Sequence, residues 1–161
     1  RIAIMARTDM KIALGADHAG FPLKGAVAQR LTALGHELLD CGTGSEAACD
    51  YPDFALEVAR AVAEGRAERG VMLCGSGVGA CVAVNKVPGA RGAICHDTFS
   101  ARQGVEDDDL NILCLGARIV GSSLALEVLE AWVRASFSGA ERHTRRRDKV
   151  TAIEKRYGSK L

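Results

Sequence analysis

Residues 71–79 read Val71-Met72-Leu73-Cys74-Gly75-Ser76-Gly77-Val78-Gly79, and the order of residue types here sets the reading of the whole chain. An apolar run ending in Cys74 reads as a buried strand. A glycine-rich turn follows with no polar spacer and opens into a helical pattern over residues 78–84. The thiol therefore sits at the carboxyl end of a strand, beside backbone N–H groups that few side chains can block. Such a place suits an anion, or a developing oxyanion next to a base or nucleophile. A glycine turn after a strand also serves tight packing alone, and on this stretch both readings stand.

Outward from this joint, strand-like runs alternate with helical patterns. Residues 11–15 read as a first strand, and residues 20–34 carry Leu23, Val27, Leu31 and Leu34 at helical spacing. Residues 36–40 form a second strand and 41–50 a polar loop. Pro52 opens a helix whose apolar face holds Phe54, Val58 and Val62. Residues 71–74 are the third strand and 91–95 the fourth, followed by a helix over 98–106. Residues 111–115 are the fifth strand. The next helix, 121–137, is apolar nearly all round and is expected to be largely buried. A basic stretch and a last helix, about 139–156, close the series. This β–α alternation predicts an α/β fold with a parallel sheet covered by helices on both faces. Ligands in such folds bind at the carboxyl ends of the strands. Asp17 and His18, Cys74 to Gly79, His96 and Asp97, and Arg118 all fall there. No G-x-G-x-x-G follows the first strand, which disfavours a dinucleotide site.

The 161 residues suit one domain with a proper core; 48% are apolar and 25% charged. A net charge of +1 argues against a general electrostatic grip on nucleic acid. No apolar run approaches the ~20 residues of a membrane-spanning helix. Residues 1–9 lack a signal-peptide layout and are read as an upstream extension, with Met10 as the natural start and Met5 the alternative; residues 10–161 form the domain. There are six cysteines, Cys41, Cys49, Cys74, Cys81, Cys95 and Cys114, irregularly spaced and without a C-x-x-C pair. They read as thiols in a reducing cytoplasm, and the spacing disfavours a zinc site.

Five segments carry a specific resemblance. Gly15-Ala16-Asp17-His18-Ala19-Gly20-Phe21, Asp50-Tyr51-Pro52, Cys74-Gly75-Ser76-Gly77-Val78-Gly79, Asn85-Lys86-Val87-Pro88-Gly89-Ala90-Arg91 and Leu115-Gly116-Ala117-Arg118 occur in order. Together they resemble the type B ribose-5-phosphate isomerase and galactose-6-phosphate isomerase family, over about residues 10–154. The resemblance implies a Rossmann-like three-layer sandwich with a five-stranded parallel sheet and a C-terminal helix. It implies an aldose–ketose isomerase of sugar phosphates, of the pentose phosphate pathway, with no metal and no organic cofactor. It also implies a homodimer or dimer of dimers with shared active sites, and no nucleic-acid or membrane partner.

The same resemblance assigns roles. Cys74 matches the catalytic base of the cysteine group, since Ala80 stands where the other group has glutamate; its alternative is a buried structural cysteine. The amides of Gly75, Gly77, Val78 and Gly79 would stabilise the enediolate oxygen. Ser76 matches a hydroxyl that assists proton transfer, with a helix N-cap as its alternative. Asp17 and His18 match pocket residues, and Asp17 could equally cap the first helix. Arg142, His143 and Arg146 match the phosphate grip within a run that otherwise reads as a solvated basic helix start. Arg118 matches a pocket arginine contributed by the partner subunit; its alternative is an inter-subunit ion pair. Asp108 is counted among the substrate-binding positions. Asp107 stands where the family commonly has a histidine assigned to opening the sugar ring. An ionised aspartate accepts a proton but donates one poorly, which predicts slow turnover of furanose substrates.

Overall fold

Along the central strands, successive side chains enter two different hydrophobic layers. Ile12, Leu14, Val71, Leu73, Leu113 and Leu115 point to one, and Ala13, Met72, Cys74, Ile112 and Cys114 to the other. This period of two marks a sheet buried on both faces. In a computed structural model, residues 9–158 are described. Residues 1–8, most of the stretch read as an upstream extension, lie outside the described residues, as do 159–161. The elements are β1 (Lys11–Ala16), α1 (Phe21–Ala33), β2 (Glu37–Asp40), α2 (Tyr51–Ala63), β3 (Arg69–Cys74), α3 (Val78–Val84), β4 (Gly92–Ile94), α4 (Thr98–Asp108), β5 (Ile112–Gly116), α5 (Ser122–Arg134) and α6 (Glu141–Gly158).

All the strand pairings are parallel, and the strand order is β2-β1-β3-β5-β4. The connections β1 to β2 and β4 to β5 step towards one edge, while β2 to β3 and β3 to β4 step towards the other. Because such crossovers are right-handed, α1 and α4 cover one face and α2 and α3 the opposite one. The two core layers contain the buried residues of these same helix sets, with α5 beside α1 and α4. At the carboxyl ends, therefore, the chain leaves β3 towards one face and leaves its neighbours β1 and β5 towards the other. A crevice opens around the end of β3 for that reason.

The five strands and the helices between them fall where periodicity predicts, and three of the differences have a physical reason. β3 begins two residues earlier than expected, because Arg69 pairs with Ile12 on β1 and its guanidinium donates to the Trp132 and Ala135 carbonyls. α5 is not buried all round. Ala125, Val128, Leu129, Trp132 and Val133 face the sheet, while Ser122, Ser123, Leu124, Glu127 and Arg134 are exposed. An outer-layer helix has only one neighbouring layer, so one stripe suffices. α6 begins and ends two residues later than expected, following Gly139 at a φ of 65°. Among the described residues no helix is long and apolar enough to cross a membrane.

Candidate active site

β3 delivers Cys74 into the crevice, where the residue is 5% exposed. Its sulfur accepts the Gly77 amide at 3.1 Å. Gly77 reaches that position at a φ of 84°, in the left-handed region that costs glycine little and other residues more. Ser76 Oγ accepts the Val78 amide at 3.3 Å. The N-cap of α3 is Gly77, one residue beyond the alternative reading of Ser76, because the left-handed residue is where the chain turns into the helix. The Gly77 and Val78 amides are thus engaged, and Gly75, Ser76 and Gly79 line the cavity wall.

The turn after β1 is pressed against β3. A Cβ on Gly20 would lie 2.2 Å from the Leu73 carbonyl oxygen, and the Asp17 amide donates to that oxygen at 3.1 Å. Only glycine fits there, and the close approach brings Asp17 beside Cys74 in one cavity. Asp17, 5% exposed, accepts the Ala19 and Gly20 amides on Oδ1 at 3.0 and 2.9 Å. One carboxylate oxygen therefore caps the turn, and Oδ2 has no hydrogen-bond partner among the described residues. His18 Nδ1 lies 3.1 Å from the Cys49 carbonyl, which ties the ring to the 41–50 loop and leaves Nε2 as its free nitrogen.

Arg118 follows β5. The Ala117 and Arg118 amides donate to the Cys74 and Gly75 carbonyls at 2.8 and 3.0 Å, which binds the turn after β5 to the turn after β3. Arg118 consequently lines the cavity of its own chain, whereas the resemblance assigns it to the partner's pocket. The cavity has a volume of about 410 Å³. Tyr51 and Ile119 also line it and were not on the candidate list. Tyr51 lies in the quoted Asp50-Tyr51-Pro52 segment, but its contact is tertiary: a Cβ on Gly79 would meet the Tyr51 ring at 2.6 Å.

The other candidates gather elsewhere, at the joint of α4 and α6. His143, 5% exposed, has Nδ1 2.7 Å from Ser138 Oγ and 3.4 Å from Asp107 Oδ1. Gln103 donates to Asp107 Oδ2 at 2.6 Å, and Arg142 Nε donates to His143 Nε2 at 3.0 Å. Within α6, Arg145 pairs with Glu141 and Arg147 with Asp148, and Arg147 also pairs with Asp109 at the end of α4. Arg142 and Arg146, one helical turn apart, have no acidic partner among the described residues. Neither they nor His143, Asp107 or Asp108 line the Cys74 cavity of the same chain.

Behind the glycine turn, the thiols of Cys81 on α3 and Cys114 on β5 influence each other. That contact, with further donors from Ile94 and Asn85, outweighs burial and lowers the Cys81 thiol to about 6. The same contact and burial hold Cys114 well above its ordinary value. All six cysteines are free thiols. Among the described residues no three His, Cys, Asp or Glu side chains are placed to hold a metal ion.

Comparison with known proteins identifies the family. The family model described as Ribose/Galactose Isomerase matches residues 12–150. Ribose-5-phosphate isomerase B of Escherichia coli (strain K12) is 42% identical over 146 residues, 91% of this chain and 97% of that protein. D-erythrulose-4-phosphate isomerase of Pectobacterium atrosepticum is 40% identical, over 81% of this chain and 86% of that protein. The solved structure of Clostridium thermocellum ribose-5-phosphate isomerase B superposes with a TM-score of 0.89 at 47% identity, covering 92% of this chain and 99% of that one. With a matching fold, near-complete coverage and these relatives named as sugar-phosphate isomerases, the chain belongs to the ribose/galactose isomerase family and is a sugar-phosphate isomerase.

Proposed function

We propose that the substrate pair is ribose 5-phosphate and ribulose 5-phosphate, and that Cys74 is the base. The observation that carries this reading is the Cys74 sulfur at the cavity wall, held by the Gly77 amide at 3.1 Å and flanked by Asp17. The thiolate takes the proton from C2 of the open-chain aldose, and the electron pair moves to the C1 oxygen, giving a cis-enediolate. The amides of Gly75, Ser76 and Gly79 stabilise that oxygen. Ser76 and Asp17 pass the hydroxyl proton from O2 to O1. Cys74 then returns its proton to C1, leaving the ketone at C2. Isomerisation in deuterated water tests the assignment: Cys74→Ala should lose both turnover and exchange at C2. Near-normal turnover would end it.

The phosphate grip comes from Arg142 and Arg146 of a second copy, which makes the active unit a homodimer. These arginines lie outside the Cys74 cavity of their own chain but keep free guanidinium heads. Val78 and Ile119 beside the cavity, with Val82 and Phe99 on the neighbouring helices, expose large apolar surfaces that a second copy would cover. Mixing inactive Cys74→Ala with weakly binding Arg146→Ala should restore activity through hybrid sites; no restoration would rule out sharing. The six free thiols support a reducing compartment such as the cytoplasm.

A second reading, a tetrose phosphate as substrate, is favoured by one observation. Asp107, which replaces the ring-opening histidine, has one oxygen taken by Gln103 and the other facing His143. A tetrose 4-phosphate cannot close a furanose, because its O4 carries the phosphate, and so needs no ring opening. The relative named as D-erythrulose-4-phosphate isomerase supports the same reading. Purified protein assayed on four-, five- and six-carbon sugar phosphates separates the two, and also tests galactose 6-phosphate and allose 6-phosphate.

A further inference from the structure

We propose that Asp107 and His143 are positioning residues for Arg142, holding its guanidinium so that both terminal nitrogens are free to take a phosphate. The inference rests on the reading of Arg142 as half of the phosphate grip, and adds how that half is held.

Hydrogen-bond chemistry fixes the direction of the chain. Arg142 Nε–H can only donate, so His143 Nε2, 3.0 Å away, must offer its lone pair. The imidazole is then neutral, with its proton on Nδ1. That nitrogen donates to Ser138 Oγ at 2.7 Å, and the Asp107 carboxylate faces it with Oδ1 at 3.4 Å. Asp107 is itself oriented by Gln103 at 2.6 Å, and Ser138 is anchored by its amide to the Glu106 carbonyl at 3.0 Å. Two helices thus converge on one imidazole, whose only outward bond is to Arg142. A solvated basic helix face needs no such support: Arg145 on the same helix simply pairs with Glu141. Using Nε for orientation leaves the end of the guanidinium fork, the part that meets a phosphate with two parallel bonds. The aspartate at 107 acquires a chemical reason here. A carboxylate facing Nδ1 stabilises the tautomer that gives Arg142 its acceptor.

The test uses the full chain and inorganic phosphate as a competitive inhibitor, with Arg142→Ala, Asp107→Ala, Asp107→Asn and the double alanine variant. Asp107 is half-exposed in the last turn of α4, where alanine suits a helix, so these variants should fold. Asp107→Ala should raise the phosphate inhibition constant and the substrate KM about threefold to tenfold, as for loss of one positioning hydrogen bond, with kcat little changed. Asp107→Asn, whose carbonyl oxygen still presents a negative dipole to Nδ1, should recover part of the loss. The double variant should bind phosphate no worse than Arg142→Ala alone, because the two residues act in series. Additive losses, or a fall in kcat with an unchanged inhibition constant, would overturn the inference. If Arg142→Ala itself leaves phosphate inhibition unchanged, the phosphate grip is misassigned and the inference falls with it. If Arg142→Ala weakens inhibition and Asp107→Ala does not, the positioning alone is wrong.

Discussion

The Gly77 amide reaches back three residues to the Cys74 sulfur, at 3.1 Å, and does so from a left-handed backbone conformation. The turn into α3 is thereby locked onto the sulfur at the end of β3, beside the cavity.

Removing the proposed base should be costly. Cys74→Ala is expected to lower kcat by ~10²–10⁴, the usual contribution of a general base. Sugar-phosphate binding, followed by calorimetry, should survive, because the phosphate grip uses other residues.

Gly77→Ala should harm both stability and rate. A side chain in the left-handed region costs roughly 1–2 kcal/mol, which thermal unfolding would register. Gly75→Ala makes the useful contrast. A Cβ there meets its nearest atoms at 3.5 Å and beyond, so the melting temperature should hold. The methyl would still stand in the cavity, beside Arg118, and KM should rise.

Arg146→Ala should chiefly raise KM by removing charge-assisted bonds worth roughly 1.5–3 kcal/mol. Inorganic phosphate should inhibit this variant less than the parent. Arg145→Ala, which removes only the exposed partner of Glu141, should change neither.

At position 107 the informative number is a ratio. Asp107→His should raise turnover of ribose 5-phosphate relative to a tetrose phosphate, because only the furanose needs a proton shuttle at the ring oxygen. Any loosening of Arg142 affects both substrates alike and cancels. An unchanged ratio would mean that ring opening is handled elsewhere.

Cys81 and Cys41 are both half-buried, yet their thiols are shifted in opposite directions: burial raises Cys41, and the Cys114 contact lowers Cys81 to about 6. Alkylation proceeds through the thiolate. Labelling of Cys81 by iodoacetamide should therefore be nearly level above pH 7 and fall as pH drops through 6. Labelling of Cys41 should still be rising at pH 9. Peptide mapping across that range distinguishes the two.

The elements were legible because their signals are local. A period of two or 3.6 needs only a dozen residues, and β3, its glycine turn and α3 were visible in residues 71–84. Asp17, His18, Cys74 and Arg118 could be grouped in advance because each follows a strand, and parallel strands end on one side. Apolar content misled in α5, since Leu124 is as hydrophobic as Leu129 and only packing decides that one is exposed and the other buried. Tyr51 escaped because its partner, Gly79, is distant in sequence and visible only as a missing Cβ. The tie from Gln103 through Asp107 and His143 to Arg142 joins two helices, and spacing along either one is silent about it.

The strand order has a consequence for assembly. The last strand to be made, β5, is inserted in the middle of the sheet, between β3 and β4. Until Ile112–Gly116 emerges from the ribosome, β3 has an unpaired edge, β4 has no neighbour, and the carbonyls of Cys74 and Gly75 lack the amides of Ala117 and Arg118. The Cys74 cavity is thus a late product of folding, although its thiol is made well before β5. A nascent chain halted before residue 112 would display a hydrophobic strand edge, the form most prone to pair with a neighbour. Chaperone dependence during synthesis should peak in that window and fall once β5 closes the sheet.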